Sequence, residues 1–156
     1  MPLNLKEYCR EKLESARDLY LQDWDAMSAE SLTLSPGGVG RSPINFTYEV
    51  ALINVRLATR LRGEDPGPFD SSAWEVVPPE FSTPLAMRTY LKESMDILIS
   101  TLESIPETEL DREIPTPTGS TTPFQLATFA ATHMTYHDGQ LNLIQALNGD
   151  AEIHWS

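Results

Sequence analysis

From Thr122 to Gly149 the sequence is TPFQLATFAATHMTYHDGQLNLIQALNG. Both ends of this segment carry helix signals, because Thr122 and Gln125 form a capping-box pattern around Pro123 and Gly149 is a typical stop. Between the ends, residues recur at steps of three and four, so they share one face of a helix. That face consists of Leu126, Ala130, His133, His137, Leu141 and Ile144. The pattern predicts one long amphipathic helix with two histidines on its apolar side.

Three further segments show helical periodicity. They are residues 3–29, 42–62 and 83–105. Ser42 and Thr83 each precede a proline, which indicates a capped helix start with proline at the first helical position. No segment alternates with period two, so the predicted fold class is all-α, a four-helix bundle that occupies residues 1–156 as one domain.

The connections between these helices differ in length. Residues 31–41 are glycine-rich and indicate a flexible turn, and residues 106–121 predict a polar loop with a short extended piece near 113–117. Residues 63–82 form a long connection that is rich in proline and glycine. A connection of this length can cross from one end of a bundle to the other, so we expect the second and third predicted helices to run parallel.

The charge balance excludes several kinds of partner. The chain has 23 acidic and 11 basic side chains, a formal net charge of −12. Surfaces that bind nucleic acids need basic patches, and anionic membranes repel acidic surfaces, so we expect neither partner. Cys9 is the single cysteine, which excludes an intrachain disulfide and, with an N-terminus unlike a signal peptide, indicates a cytoplasmic protein.

His133 and His137 are spaced so that both imidazoles can reach one metal ion, since neighbours one helical turn apart project to the same side. Glu49 lies beside the apolar face of the second predicted helix, and bundle interiors assemble metal sites from facing helices. Two histidines and one carboxylate leave coordination positions open, which is typical of catalytic sites. The residues between the histidines are Met, Thr and Tyr, so the H-E-x-x-H pattern of zinc proteases is absent.

Other interpretations of these residues remain open at this point. Glu49 could be half-exposed and paired with an arginine such as Arg56, or it could form a hydrogen-bonded cluster with the histidines without a metal. Asp138 could orient a ligand, and His154, the third histidine, could supply one.

Three more residues are candidates to line a pocket beside the predicted site. Asn45 and Tyr48 fall in the first turns of the second predicted helix, and Gln140 follows the histidine pair. Each of them could equally be an ordinary packing residue.

His133, His137, the triplet Gly139-Gln140-Leu141 and the segment 146–149 together resemble the last helix of the DinB/YfiT-like superfamily. The resemblance implies a four-helix bundle with a long connection between helices 2 and 3. It also implies a divalent metal held by one histidine of helix 2 and two of the last helix. This chain departs from that pattern at helix 2, where Glu49 stands in place of the usual histidine.

The same resemblance implies a function. Superfamily members with known activity are thiol-dependent transferases and isomerases that use bacillithiol, mycothiol or glutathione, and many form dimers. We therefore expect a zinc, nickel or iron ion, a low-molecular-weight thiol as a possible cofactor, a small-molecule substrate and a homodimer. A transferase is favoured over a hydrolase. The alternatives are a non-catalytic bundle that has lost the metal site, and a module that binds a small ligand.

Overall fold

The computed structural model describes residues 4–68 and 70–156. Its elements in chain order are α1 (Leu5–Ala26), α2 (Ala29–Thr33), α3 (Pro43–Leu61), α4 (Pro84–Ser104), β1 (Ile114–Thr116), β2 (Gly119–Thr121) and α5 (Pro123–Leu147). Short 3-10 turns lie at Ser71–Trp74, Pro79–Phe81 and Glu107–Glu109. The four long helices α1, α3, α4 and α5 form the predicted four-helix bundle, which confirms the fold class.

Two local predictions need correction. The helix predicted over residues 3–29 ends at Ala26, and α2 follows as a separate helix because the Ser28 hydroxyl accepts a hydrogen bond from the Ser31 amide. Leu3, the first residue of that prediction, lies outside the described residues, as does Phe69 in the long connection. The extended piece near 113–117 is confirmed as β1, but it pairs antiparallel with β2, which the sequence did not predict.

The long connection joins two parallel helices, as expected from its length. The rings of Tyr48 on α3 and Tyr90 on α4 lie 6.1 Å apart near the start of both helices. Further along, Asn54 Nδ2 donates to Ser94 Oγ at 3.4 Å. Contacts therefore advance in the same direction on both helices, so residues 62–83 must run from one end of the bundle to the other.

The remaining pairs complete the bundle. Asp25, near the end of α1, pairs with Arg88, near the start of α4, at 2.6 Å, so these two helices are antiparallel. Asp23 of α1 accepts a hydrogen bond at 2.7 Å from Asn142, which lies near the end of α5, so α1 and α5 are parallel. Helix α3 therefore runs antiparallel to α5. The first turns of α3 lie beside the middle of α5.

The ends of α5 match the sequence signals. The Thr122 hydroxyl accepts from the Gln125 amide, and the Gln125 side chain accepts from the Thr122 amide, which completes the capping box. Gly149 has a φ of +90°, a left-handed value that glycine adopts without strain, and the helix ends just before it. Among the described residues, no helix contains an apolar stretch of the length that a membrane span requires.

Candidate metal centre

Glu49, His133 and His137 meet in the interior between α3 and α5. The distance from His133 Nε2 to Glu49 Oε1 is 3.3 Å, and His137 Nε2 lies 3.6 Å from the same oxygen. The two histidine Nε2 atoms are 3.2 Å apart. Three potential ligand atoms therefore form a nearly equilateral triangle, although 84 residues separate the glutamate from the nearer histidine.

The size of this triangle fits a metal ion. Two ligands about 2.1 Å from a tetrahedral zinc ion lie about 3.4 Å from each other, which follows from the tetrahedral angle. The observed sides of 3.2 to 3.6 Å bracket that value. Among the described residues, this trio is the one group of three potential protein ligands close enough to share an ion. Without an ion, two imidazole nitrogens and a carboxylate oxygen face one another with a proton as the only possible bridge.

His137 is held in the orientation that a ligand needs. Its Nδ1 lies 2.8 Å from Gln140 Oε1, which can only accept, so Nδ1 carries the proton and the Nε2 lone pair faces Glu49 and His133. The ring stacks on Phe46 with centroids 5.4 Å apart. Burial lowers the pKa of His137 to about 4, so the imidazole is neutral and able to bind a metal at neutral pH.

His133 occupies the more open side of the trio. Its side chain is 14% exposed, compared with 2% for His137. The ring stacks on Phe129 with centroids 5.6 Å apart, and Nδ1 has no hydrogen-bond partner among the described residues. The orientation of His133 therefore depends on aromatic stacking and on the atoms that its Nε2 faces.

Glu49 uses its two carboxylate oxygens for different contacts. Oε1 faces the histidines, while Oε2 accepts a hydrogen bond from the Arg41 guanidinium at 2.5 Å. Burial opposes ionisation of this carboxyl, but the hydrogen bond and charge of Arg41 outweigh it and hold the pKa below its ordinary value. Glu49 is thus an anion with one oxygen directed to the site. The open alternative of an arginine partner for Glu49 is therefore met by Arg41, whereas Arg56, the example considered, donates to the carbonyls of Pro66 and Gly67.

A cavity of about 310 Å³ opens beside the trio, lined by Glu49 and His133 at one end. Its other lining residues come from α3, from the long connection and from α5. They are Ile53, Arg56, Leu57, Arg60, Pro66, Trp74 and Phe129. His137, being almost fully buried, lies behind the two residues that border the cavity. An ion held by the trio would therefore have its accessible side toward this cavity.

The structure gives the three predicted pocket residues different positions. Asn45 lines a second, more open cavity that also borders Glu49, and its amide donates to the carbonyl of Trp74 at 2.8 Å. Gln140 contacts a predicted ligand, His137, through its side-chain oxygen. Tyr48 is 9% exposed and packs against Phe81 and Tyr90, on the side of α3 that faces α4.

Two further candidates lie away from the trio. Asp138 is buried against α1, where burial and the neighbouring Asp23 carboxylate raise its pKa to about 7, so its environment is not that of an orienting group for His137. That role falls to Gln140. His154 lies in the C-terminal tail, with Nε2 2.9 Å from Asp150 Oδ2.

Sequence reasoning missed Arg41, Trp74 and Phe129 around the site. Arg41 lies in the turn before α3, where helical spacing gives no indication of its direction. Trp74 belongs to a 3-10 turn in the long connection, and only the folded path of that connection brings it over the cavity. For Phe129 a signal was present, because it precedes His133 by one helical turn.

The family model of the DinB superfamily matches residues 12–141 of this chain. Two solved structures share the fold. A DinB-like protein of Bacillus subtilis, YjoA, aligns with a TM-score of 0.69 at 17% identity, over 94% of each chain. A conserved protein of Enterococcus faecalis aligns with a TM-score of 0.72 at 18% identity, over 93% of this chain and 97% of its own. A search of curated proteins found no match.

Proposed function

The chain belongs to the DinB superfamily, and on that basis we propose that it is a metalloenzyme that holds a divalent ion with Glu49, His133 and His137. The observation that carries this proposal is the triangle of Oε1 and two Nε2 atoms, whose sides of 3.2 to 3.6 Å suit one ion. An ion there would act as a Lewis acid and would lower the pKa of a bound water or thiol.

The surrounding residues support a site that is preorganised for this task. Gln140 holds the Nδ1 proton of His137 and so presents Nε2 to the ion. Arg41 occupies one oxygen of Glu49, which leaves the other oxygen as a single ligand atom. Three protein ligands and an adjoining cavity are typical of a catalytic site, since structural zinc sites are closed by four protein ligands.

The ligand types suit zinc, nickel or iron, since imidazole binds all three and a carboxylate can accompany it. We propose a thiol-dependent transferase, with a low-molecular-weight thiol as cosubstrate. This reaction class is supported by the superfamily resemblance, whereas the cavity supports only a small-molecule substrate.

Elemental analysis of protein purified without an affinity tag tests the metal site. We expect about one equivalent of zinc, nickel or iron in the wild type and its loss in Glu49→Ala and His133→Ala. His154→Ala is the matched control, because this histidine is paired with Asp150 in the tail and its removal should leave the metal content unchanged. Absence of metal from the wild type, even after reconstitution, would contradict the proposal.

A thiol-consumption assay tests the reaction class. Metal-loaded protein is incubated with bacillithiol, mycothiol or glutathione and an electrophilic acceptor, and the remaining free thiol is titrated. We expect one thiol to be consumed faster than in the uncatalysed reaction, and Glu49→Ala to abolish the acceleration. A stoichiometric ion without any acceleration would restrict the proposal to metal binding.

One observation favours a second candidate, a bundle that binds a small ligand without catalysis. Glu49 contacts both Arg41 and His133, so its charge is compensated even without an ion. A Glu49→Gln variant that loses metal but still binds a small ligand would favour this candidate.

We also propose a cytoplasmic homodimer. The superfamily resemblance supports the dimer, which light scattering of the purified protein would test. The single, buried Cys9 is compatible with a reducing compartment.

A further inference from the structure

We propose that the cavity beside Glu49 and His133 takes a small organic acid, a molecule with an apolar body whose anionic group binds Arg60 while its opposite end reaches the metal site. The inference rests on the proposed function for the position of the reacting end. The preference for a negatively charged ligand is argued from the cavity residues alone.

The cavity follows one stripe of α3. Ile53, Leu57 and Arg60 all line it and continue the face that begins with Glu49. Arg60 follows Glu49 by eleven residues, which corresponds to about 16 Å along the helix axis. The Arg60 guanidinium is held at this end of the cavity by the carbonyl of Pro115 in β1, and Arg60 also borders a second cavity there. The volume of about 310 Å³ is at the small end of ligand pockets, so a small molecule could bridge the two ends.

The middle of the cavity is apolar. Ile53 and Leu57 of α3, Trp74 of the long connection and Phe129 of α5 form its walls. Such walls favour an aliphatic or aromatic body, since burying its surface against them removes it from water. The apolar body therefore separates the anionic group from the end that reaches the metal site.

The far end of the cavity carries positive charge. Arg60 donates to the carbonyl of Pro115 at 3.1 Å, and none of the described ion pairs involves it. By contrast, six arginines of the chain pair with carboxylates, namely Arg10, Arg17, Arg41, Arg62, Arg88 and Arg112. The bond to a neutral carbonyl leaves Arg60 without an ion pair, although Glu64, Asp65 and Glu113 border a second cavity on its other side.

Arg56 reinforces this end. Its guanidinium donates to the carbonyls of Pro66 and Gly67 at 2.9 and 2.8 Å, which fixes it at the cavity wall. A carboxylate at the far end would therefore meet the Arg60 guanidinium, which can bind both of its oxygens, beside a wall that Arg56 keeps in place. Among the described residues that line the cavity, Glu49 is the one carboxylate, and it would bind the ion, so these residues offer no second acidic group to a cationic ligand.

Four related compounds test the inference, with the full-length protein and one equivalent of added zinc. They are 4-mercaptobenzoate, 4-mercaptobenzamide, 4-methylbenzoate and 4-methylbenzamide, and their dissociation constants are measured by calorimetry. The carboxylate and amide differ in charge at nearly constant shape, whereas the thiol and methyl groups differ in their ability to bind a metal. The charge comparison thus reports on Arg60, and the thiol comparison reports on the metal site.

We expect each carboxylate to bind about tenfold or more tightly than its amide, since hydrogen bonds to charged groups have about this effect. Arg60→Gln should abolish the preference, and Arg60→Lys should retain part of it. Arg62→Gln is the matched control, because Arg62 pairs with Glu64 outside the cavity and its loss should change nothing. Circular dichroism checks that each variant is folded.

Equal binding of carboxylates and amides, a preference that survives in Arg60→Gln, or no binding of any compound below about 10 mM would overturn the inference. A charge preference that Arg60→Gln removes, without a thiol preference, would support the anion site while contradicting the metal site. The two proposals can therefore fail separately.

Discussion

Replacing Gln140 by leucine should weaken metal binding without removing any of the three ligands. Gln140 Oε1 lies 2.8 Å from Nδ1 of His137, a side chain that is only 2% exposed. In Gln140→Leu, a metal-bound His137 must keep its proton on Nδ1, where no acceptor remains. An unsatisfied buried donor costs about 1–3 kcal/mol, and each 1.4 kcal/mol corresponds to about tenfold in affinity. We therefore expect zinc affinity to fall about 10- to 100-fold, which agrees with the usual effect of removing such an orienting partner.

The assay is a competition titration of zinc between the protein and a chromophoric chelator of known affinity. Gln140→Glu is the matched variant, because its carboxylate retains an acceptor at the same position and raises the basicity of the imidazole. It should bind zinc at least as tightly as the wild type. Equal losses of affinity in both variants would refute the reasoning, since the effect would then come from altered packing and not from the lost acceptor.

Three other results should follow. An ion that binds only the folded chain should raise its melting temperature by about 5–10 °C when the free ion is at 100 times the dissociation constant, and a chelator should remove this increase. The melting temperature of His133→Ala should not change when the chelator is added. Burial and the Asp23 carboxylate raise the pKa of Asp138 to about 7, so the folded chain keeps a proton that the unfolded chain releases above about pH 4. The free energy of unfolding, measured with urea, should therefore fall by about 1–3 kcal/mol from about pH 4.5 to about pH 7.5 through this group. The fall should be smaller in Asp138→Asn, and an equal fall in this variant would contradict the assignment. Trp155→Phe should cost about 1–2 kcal/mol in urea unfolding, because Asp23 is fully buried and accepts from the indole Nε1 at 2.7 Å; no change would mean that the tail contributes nothing.

The prediction from sequence was most accurate where the signal was local. The capping box at Thr122 and the stop at Gly149 bound α5 within two residues of their observed positions, because a cap involves only neighbouring residues. The break between α1 and α2 was missed, since Ser28 lies within a continuous helical pattern and its capping role depends on a single hydrogen bond.

For the candidate site, the sequence indicated the ligands but not their surroundings. Glu49 was selected because it lies beside an apolar face, yet whether it would meet Arg41, Arg56 or the histidines could not follow from spacing along α3. Glu49 contacts Arg41 because of the path of the turn before α3, and it contacts the histidines because α3 packs antiparallel against α5.

By itself, the sequence determined four long helices, the starts of α3, α4 and α5 at a proline, the long crossover and the placement of His133 and His137 on one face. These features follow from backbone hydrogen bonding and helical periodicity, which act over a few residues. The caps at Thr83 and Thr122 are confirmed, whereas the Ser42 side chain makes no capping bond. Only the tertiary structure decided that Glu49 Oε1 lies 3.3 Å from His133, and that Arg60 and Trp74 share a cavity with them. Such distances arise from the packing of helices that are remote in sequence, which depends on the shape and burial of many side chains at once.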